Sequence, residues 1–221
     1  MSPEPQPIRS IPTWLGLALL LALAVACNRT EGSQTPAEAE ACCDEEKAGE
    51  QAVAAAAQLQ GQSVGGIPDA LLTDQNGKQV RLYSDLIKGR KVVANFVFTT
   101  CATVCPTLQT VFEGVQKRLG DRLGKDVVML SITVDPANDT PERMRAFAED
   151  HHAKPGWYFL TGSVEDIRDV LLAFNVYTAK KEEHTALFVI GNEPAGRWMY
   201  QSGLVEPSVV VKQVELIGKE Q

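Results

Sequence analysis

KVVANFVFTTCATVCP, running from Lys91 to Pro106, decides the fold. Its first eight residues are almost wholly apolar and rich in β-branched side chains, the pattern of a central strand buried on both faces. Pro106 suits the first turn of a helix, where a missing N–H and a fixed φ cost nothing. Two cysteines, Cys101 and Cys105, therefore lie between the end of a buried strand and the mouth of a helix. A helix mouth carries unpaired N–H groups and partial positive charge, which stabilises thiolate and lowers cysteine pKa. Thiolate is the form that attacks disulfides and ligates metals. The spacing of four places both sulfurs on one face if the turn is helical, and it differs from Cys-X-X-Cys.

Working outward, Val127 to Val134 (VVMLSITV) reads as a second buried strand. Asp139-Thr140-Pro141-Glu142 reads as a helix start, with a capping side chain followed by proline, and that helix ends near His151. Tyr158 to Leu160 is a short strand. Ser163-Val164-Glu165-Asp166 resembles a capping box opening a helix to about Phe174. Ala186 to Ile190 and Arg197 to Gln201 form the last strand pair, and Pro207 starts a final helix. Upstream, Leu71 to Thr73 and Gln79 to Leu82 flank Asn76-Gly77, a hairpin turn signal. Strands alternating with helices imply a mainly parallel sheet covered on both faces. The closing β-β-α completes an α/β, thioredoxin-like fold with an N-terminal β-hairpin extension.

The remaining sequence is organised differently. After Arg9 no charged residue appears until Arg29, and Trp14 to Ala26 is an apolar run ending at Cys27. The run is short for a membrane span of about 20 residues and fits a secretory signal of about 7–15 residues. Its end resembles a bacterial lipoprotein signal, which predicts a lipidated Cys27; an uncleaved anchor and ordinary cleavage are the alternatives. Each places the protein outside the cytoplasm. Residues 28–65 are rich in Ala, Glu, Gln, Gly and Ser and bury little, so they read as an acidic tether, with a transient helix over Ala52–Gln60. The domain boundaries are thus 1–27, 28–65 and 66–221. Of 221 residues, 44% are hydrophobic, enough for one core, and the net charge of −7 leaves no basic excess for nucleic acid.

Five cysteines are too few and too tightly spaced for a disulfide framework. Cys42-Cys43 in the tether reads as an incidental exposed pair, with transient metal capture or intermolecular bridging as the alternative. His184 immediately precedes the first strand of the closing pair. A lone histidine is ordinarily a surface or capping residue, but in a thioredoxin-like fold the loop entering this strand faces the cysteine pair. Two thiolates and one imidazole form a soft to borderline ligand set suited to copper. His151 and His152, beside Asp150, read as exposed helix-end residues.

The strings FTTCATVCPTL, SITVDPANDTPE, FLTG and EEHTALFVIG occur here in that order. Together they resemble the SCO/SenC family over roughly Gly66 to Gly218. The resemblance implies a periplasmic or intermembrane-space protein that binds copper, Cu(I) or Cu(II), through Cys101, Cys105 and His184. It also implies help in building the copper centre of cytochrome c oxidase, whose copper subunit, or a related copper protein, would be the partner. The implied location here is the extracytoplasmic face of the bacterial membrane. Asp135-Pro136 matches the family's Asp-Pro motif. Asp135 would lie near the cysteines, tuning a thiol or steering a partner, or else would shape the turn before the next helix. Ala102-Thr103 replace the family's usual Pro-acidic pair, Glu183 stands where many members have Asp, and Asn175 to Glu183 is shorter than the loop of the better-known members. The competing function is a thiol–disulfide reductase that keeps the cysteines of a copper protein reduced, which needs only the redox-active dithiol Cys101 and Cys105. A peroxiredoxin-like peroxidase ranks last, since Ala102 stands where Thr-x-x-Cys requires threonine.

Overall fold

A computed structural model describes residue 64, residues 66–101 and residues 105–218. The expected signal segment, most of the tether with its Ala52–Gln60 helix, the Cys42-Cys43 pair and Ala102-Thr103 lie outside the described residues. Strands β1 (Leu71–Thr73) and β2 (Gln79–Arg81) form the antiparallel hairpin. Asp74 closes it: one carboxylate oxygen accepts from the N–H groups of Asn76 at 2.8 Å and Lys78 at 2.9 Å. Gly77 takes φ +78°, a conformation that side chains disfavour. A wide π-type turn over Leu82–Ile87 follows, buries Leu82, Leu86 and Ile87, and was not anticipated in the sequence reading.

The main elements are β3 (Lys91–Val97), α1 (Cys105–Leu119), β4 (Val127–Thr133), α2 (Pro141–Asp150), β5 (Trp157–Leu160) and α3 (Val164–Ala173). Strands β6 (Leu187–Asn192) and β7 (Arg197–Ser202) and helix α4 (Pro207–Leu216) complete the domain. The strand order is β5-β4-β3-β6-β7. β3, β4 and β5 run parallel, whereas β3 pairs antiparallel with β6 and β6 with β7. The thioredoxin-like α/β fold is therefore built on a mixed sheet in which four strands run the same way and β6 alone runs against them. The short turn Glu193–Ala195, closed by Gly196 at φ +61°, makes β6 and β7 an antiparallel pair, since so brief a connection joins only antiparallel neighbours.

Alternation along the strands makes two cores. Val92, Ala94 and Phe96 of β3 face α3, the hairpin and the π turn, while Val93 and Val97 face α1, α2 and α4. Helix α1 buries Cys105, Leu108, Gln109, Phe112, Val115, Gln116 and Leu119, a stripe at helical spacing. Phe112 packs against the rings of Trp157 and Phe188. Ser163 caps α3 by accepting from the Asp166 N–H at 3.0 Å, as a capping box requires. At the β5 edge, the Gln75 amide imitates a strand residue: its Nε2 donates to the Trp157 carbonyl at 3.0 Å and its Oε1 accepts from the Phe159 N–H at 2.9 Å. Thr73 and Thr161 extend the seam with two backbone bonds of 2.7 and 3.0 Å.

Candidate metal centre

Strand register brings three connections to one end of the sheet. Val97 at the end of β3 pairs with Thr133 at the end of β4, so the segments leading to Cys101 and to Asp135 start side by side. β6 runs the other way, with Phe188 opposite Asn95, so the chain enters it at this same end and His184 arrives beside the end of β3. The topology therefore puts all four expected site residues, Cys101, Cys105, Asp135 and His184, at one rim.

The two cysteines differ in access. Cys101 is half-buried, and Cys105, the first residue of α1, is 1% exposed. Both are thiols. The Cys105 thiol is pushed up, first by its hydrogen bond with Cys101, then by burial, with the Asp139 charge adding to it; a backbone hydrogen bond from Phe98 pulls the other way. The helix mouth was expected to lower it. A fully buried sulfur that shares a proton with its neighbour outweighs a helix terminus. Cys101 is therefore the sulfur open to an incoming group, and Cys105 is the one that holds its proton until something replaces it.

Asp135 makes its hydrogen bonds within its own turn and to Lys181. Its carboxylate accepts from Asn138 Nδ2 at 2.9 and 3.0 Å, its carbonyl accepts the N–H groups of Asn138 and Asp139, and Lys181 Nζ donates to it at 2.6 Å. Burial works against its charge, but these hydrogen bonds outweigh it and hold the carboxyl below the usual range. It shapes the turn. The carboxylate at the thiol site is Asp139, fully buried, which accepts from Thr99 Oγ1 at 2.6 Å, Thr99 N at 3.1 Å and Thr133 Oγ1 at 2.6 Å. It latches the Cys101 segment to the end of β4. Asp139 opens the helix-start string Asp139-Thr140-Pro141-Glu142, but Thr140 is the cap, accepting from the Arg143 N–H at 3.4 Å. That two candidate caps stood side by side was the available signal that one had other work.

His184 sits just after a single helical turn, Lys181–Glu183, whose first carbonyl accepts the His184 N–H at 3.2 Å. Burial drives its pKa down to about 4, so the imidazole is neutral at physiological pH. Its Nε2 is buried and has no hydrogen-bond partner. Among the described residues, no three His, Cys, Asp or Glu side chains stand close enough together to hold a metal ion as they are placed. The structure thus joins Cys101 to Cys105 and brings the His184 loop to the same rim, leaving the imidazole short of a shared site. The donor chemistry nonetheless fits a soft to borderline cation: two sulfurs and a neutral nitrogen that lacks any other partner. One turn along α1, Gln109 Nε2 is also buried without a partner, while its Oε1 accepts weakly from Asn95 at 3.5 Å; Asn95 in turn accepts from Ser131 Oγ at 2.7 Å. His151 pairs with Glu113 Oε1 at 2.7 Å and is half-buried rather than exposed, while His152 is exposed. No helix among the described residues is long and apolar enough to cross a membrane.

Known proteins share this architecture. The chain is 37% identical over 112 residues to an SCO1 protein homolog of Bacillus subtilis, a match covering 50% of this chain and 56% of that one. Matches of this kind span about half the length of the curated relatives. Solved structures cover more. Bradyrhizobium japonicum ScoI with copper bound is 29% identical, with a TM-score of 0.57 over 70% of this chain and 99% of that one. BsSco, described as a Sco-family cytochrome c oxidase assembly protein with a disulfide switch, is 28% identical with a TM-score of 0.56, over 70% and 96%. A SCO1/SenC family lipoprotein from Bacillus anthracis is 26% identical with a TM-score of 0.60, over 72% and 99%. The SCO1/SenC family model matches residues 66–203, more than half of the sequence. With the fold and the thiol-bearing rim in agreement, the chain belongs to the SCO1/SenC family.

Proposed function

We propose that this protein binds copper through Cys101, Cys105 and His184 and serves the assembly of the copper centre of cytochrome c oxidase. The observation that carries the reading is the His184 ring: neutral, buried, unpartnered at Nε2, and delivered to the rim where the thiol pair lies. An orphaned buried nitrogen costs about 1–3 kcal/mol. A metal would satisfy it. The copper-bound Bradyrhizobium relative supports the choice of metal.

Copper is cargo in this reading. Cys101 meets it first because it is the accessible sulfur, and Cys105 follows from beneath, releasing the proton that burial and Cys101 hold on it. His184 is already neutral and releases none. Binding should therefore discharge thiol protons and leave the imidazole proton count unchanged. The test is anaerobic copper titration of the reduced protein. Wild type should bind one copper per chain, Cys101→Ser/Cys105→Ser none, and His184→Ala should lose Cu(II) far more than Cu(I), which accepts two thiolates alone. Unchanged Cu(II) binding in His184→Ala would remove histidine from the site.

A second reading, a dithiol reductase for a copper protein, is favoured by the hydrogen bond between the two cysteines and by the imidazole standing short of them. It asks for thiol exchange that survives loss of His184. For the rest of the chain, residues 1–27 are proposed as an export signal with Cys27 lipidated, residues 28–65 as a tether, and residues 66–221 as the working domain. This places the domain on the extracytoplasmic side of the bacterial membrane.

A further inference from the structure

One side chain ties the His184 loop to the thiol rim. Lys181 Nζ lies 2.6 Å from Asp135 Oδ2 and 5.3 Å from the centroid of the Phe98 ring. Phe98 is itself part of the thiol site, because its carbonyl accepts the Cys101 N–H at 3.1 Å and its backbone bonds Cys105. On the other side, the Lys181 carbonyl accepts the His184 N–H, so lysine and histidine move as one turn. Lys180 bonds Glu183 within that turn and adds nothing to the docking.

An exposed ion pair would carry little. This one is different in three respects. Both partners are at least half-buried, the ammonium sits over an aromatic face, and the carboxylate is already held by Asn138. We propose that Lys181 is the positioning residue for His184: by anchoring the turn to Asp135 and Phe98 it keeps the imidazole within a short step of the thiol pair. The proposal rests on the copper reading above. The gain is one of preorganisation, since a ligand held near its site loses little freedom when it binds. Losing a group that orients a metal-bound histidine lowers metal affinity by about 10–100-fold, and an effect at the lower end, about tenfold, is expected here.

The test uses the full, reduced chain in five forms: wild type, Lys181→Met, Lys181→Arg, Asp135→Asn and His184→Ala. Cu(II) affinity is read by competition with a chelator, the nitrogen ligand by its hyperfine coupling in electron paramagnetic resonance, and the dithiol by exchange with a model disulfide. Lys181→Met and Asp135→Asn should each weaken Cu(II) by about tenfold and thin the nitrogen coupling, with Cu(I) binding and thiol exchange unchanged. Lys181→Arg should restore wild-type values, because a guanidinium can both pair with Asp135 and stack on Phe98. Wild-type affinity and coupling in Lys181→Met overturn the proposal. So does a loss in Lys181→Met beside a normal Asp135→Asn, which would assign the effect to the charge alone. If His184→Ala keeps the coupling, histidine is no ligand and both readings fall; if it loses the coupling while Lys181→Met does not, only the lysine proposal falls.

Discussion

Acidifying the metal-free protein should unmask His184. In the unfolded chain its imidazole titrates near 6.5, whereas burial in the native state brings it to about 4. Between those values the unfolded state binds more protons, so stability rises with pH across the window and is lost as pH falls through it. At pH 5 the unfolded imidazole is almost wholly charged and the native one is almost wholly neutral. The resulting loss relative to pH 8 is about 2 kcal/mol, approaching about 3 kcal/mol near pH 4. Urea unfolding of reduced, metal-free protein at pH 8, 7, 6 and 5, compared with His184→Gln, isolates this contribution because the other titrating groups are common to both. Wild type should lose about 2 kcal/mol more than the variant between pH 8 and pH 5. Parallel pH profiles would show that His184 is solvated in the native protein, and the argument for a stored neutral ligand would go with it.

Four further outcomes are open to measurement. Asp139→Asn should cost about 1–3 kcal/mol in chemical denaturation, because the amide turns a donor toward Thr99 or Thr133, which are themselves donating there. Gly114→Ala should cost about 1–3 kcal/mol and lower Tm, since its Cβ would press into the Pro207 ring where α1 meets α4. Oxidising Cys101 and Cys105 to a disulfide should abolish copper binding; copper retained at full stoichiometry would place the metal elsewhere, with Cys42-Cys43 the next candidate. Mass spectrometry of membrane-extracted protein should find an acylated Cys27 at the N-terminus, and an intact Met1 would favour an uncleaved anchor.

Much of this molecule was readable where a local rule has few competitors. β3 and β4 are runs of buried apolar residues too short for helices, and Pro106, Pro141 and Pro207 each mark a first helical turn. The π turn was missed because Leu82–Ile87 mixes apolar and polar residues without a clean period, and its burial is set by the sheet it lies on. β6 runs against the other four strands because of where the chain re-enters the sheet, which alternation of elements does not record. The site divides in the same way. Cys101, Cys105 and His184 were singled out because their chemistry is local, and strand register brings their segments to one rim. Asp139 was hidden by a sequence pattern that satisfied a cap, and Lys181 by distance, its partner Asp135 standing 46 residues away.

The amide of Gln75 seals the β5 edge 84 residues further along the chain. A seal so distant in sequence is available only after most of the domain has been made. Contacts of that separation close late, because the chain between them must first lose its freedom. Until then β5 offers unpaired N–H and C=O groups to any neighbouring strand. As the chain is made, the hairpin is complete long before β5 exists to receive it. The interval before Gln75 docks is thus the period in which a holding chaperone would be of most use, and a Gln75→Ala protein should show its defect as aggregation during refolding more than as lost native stability.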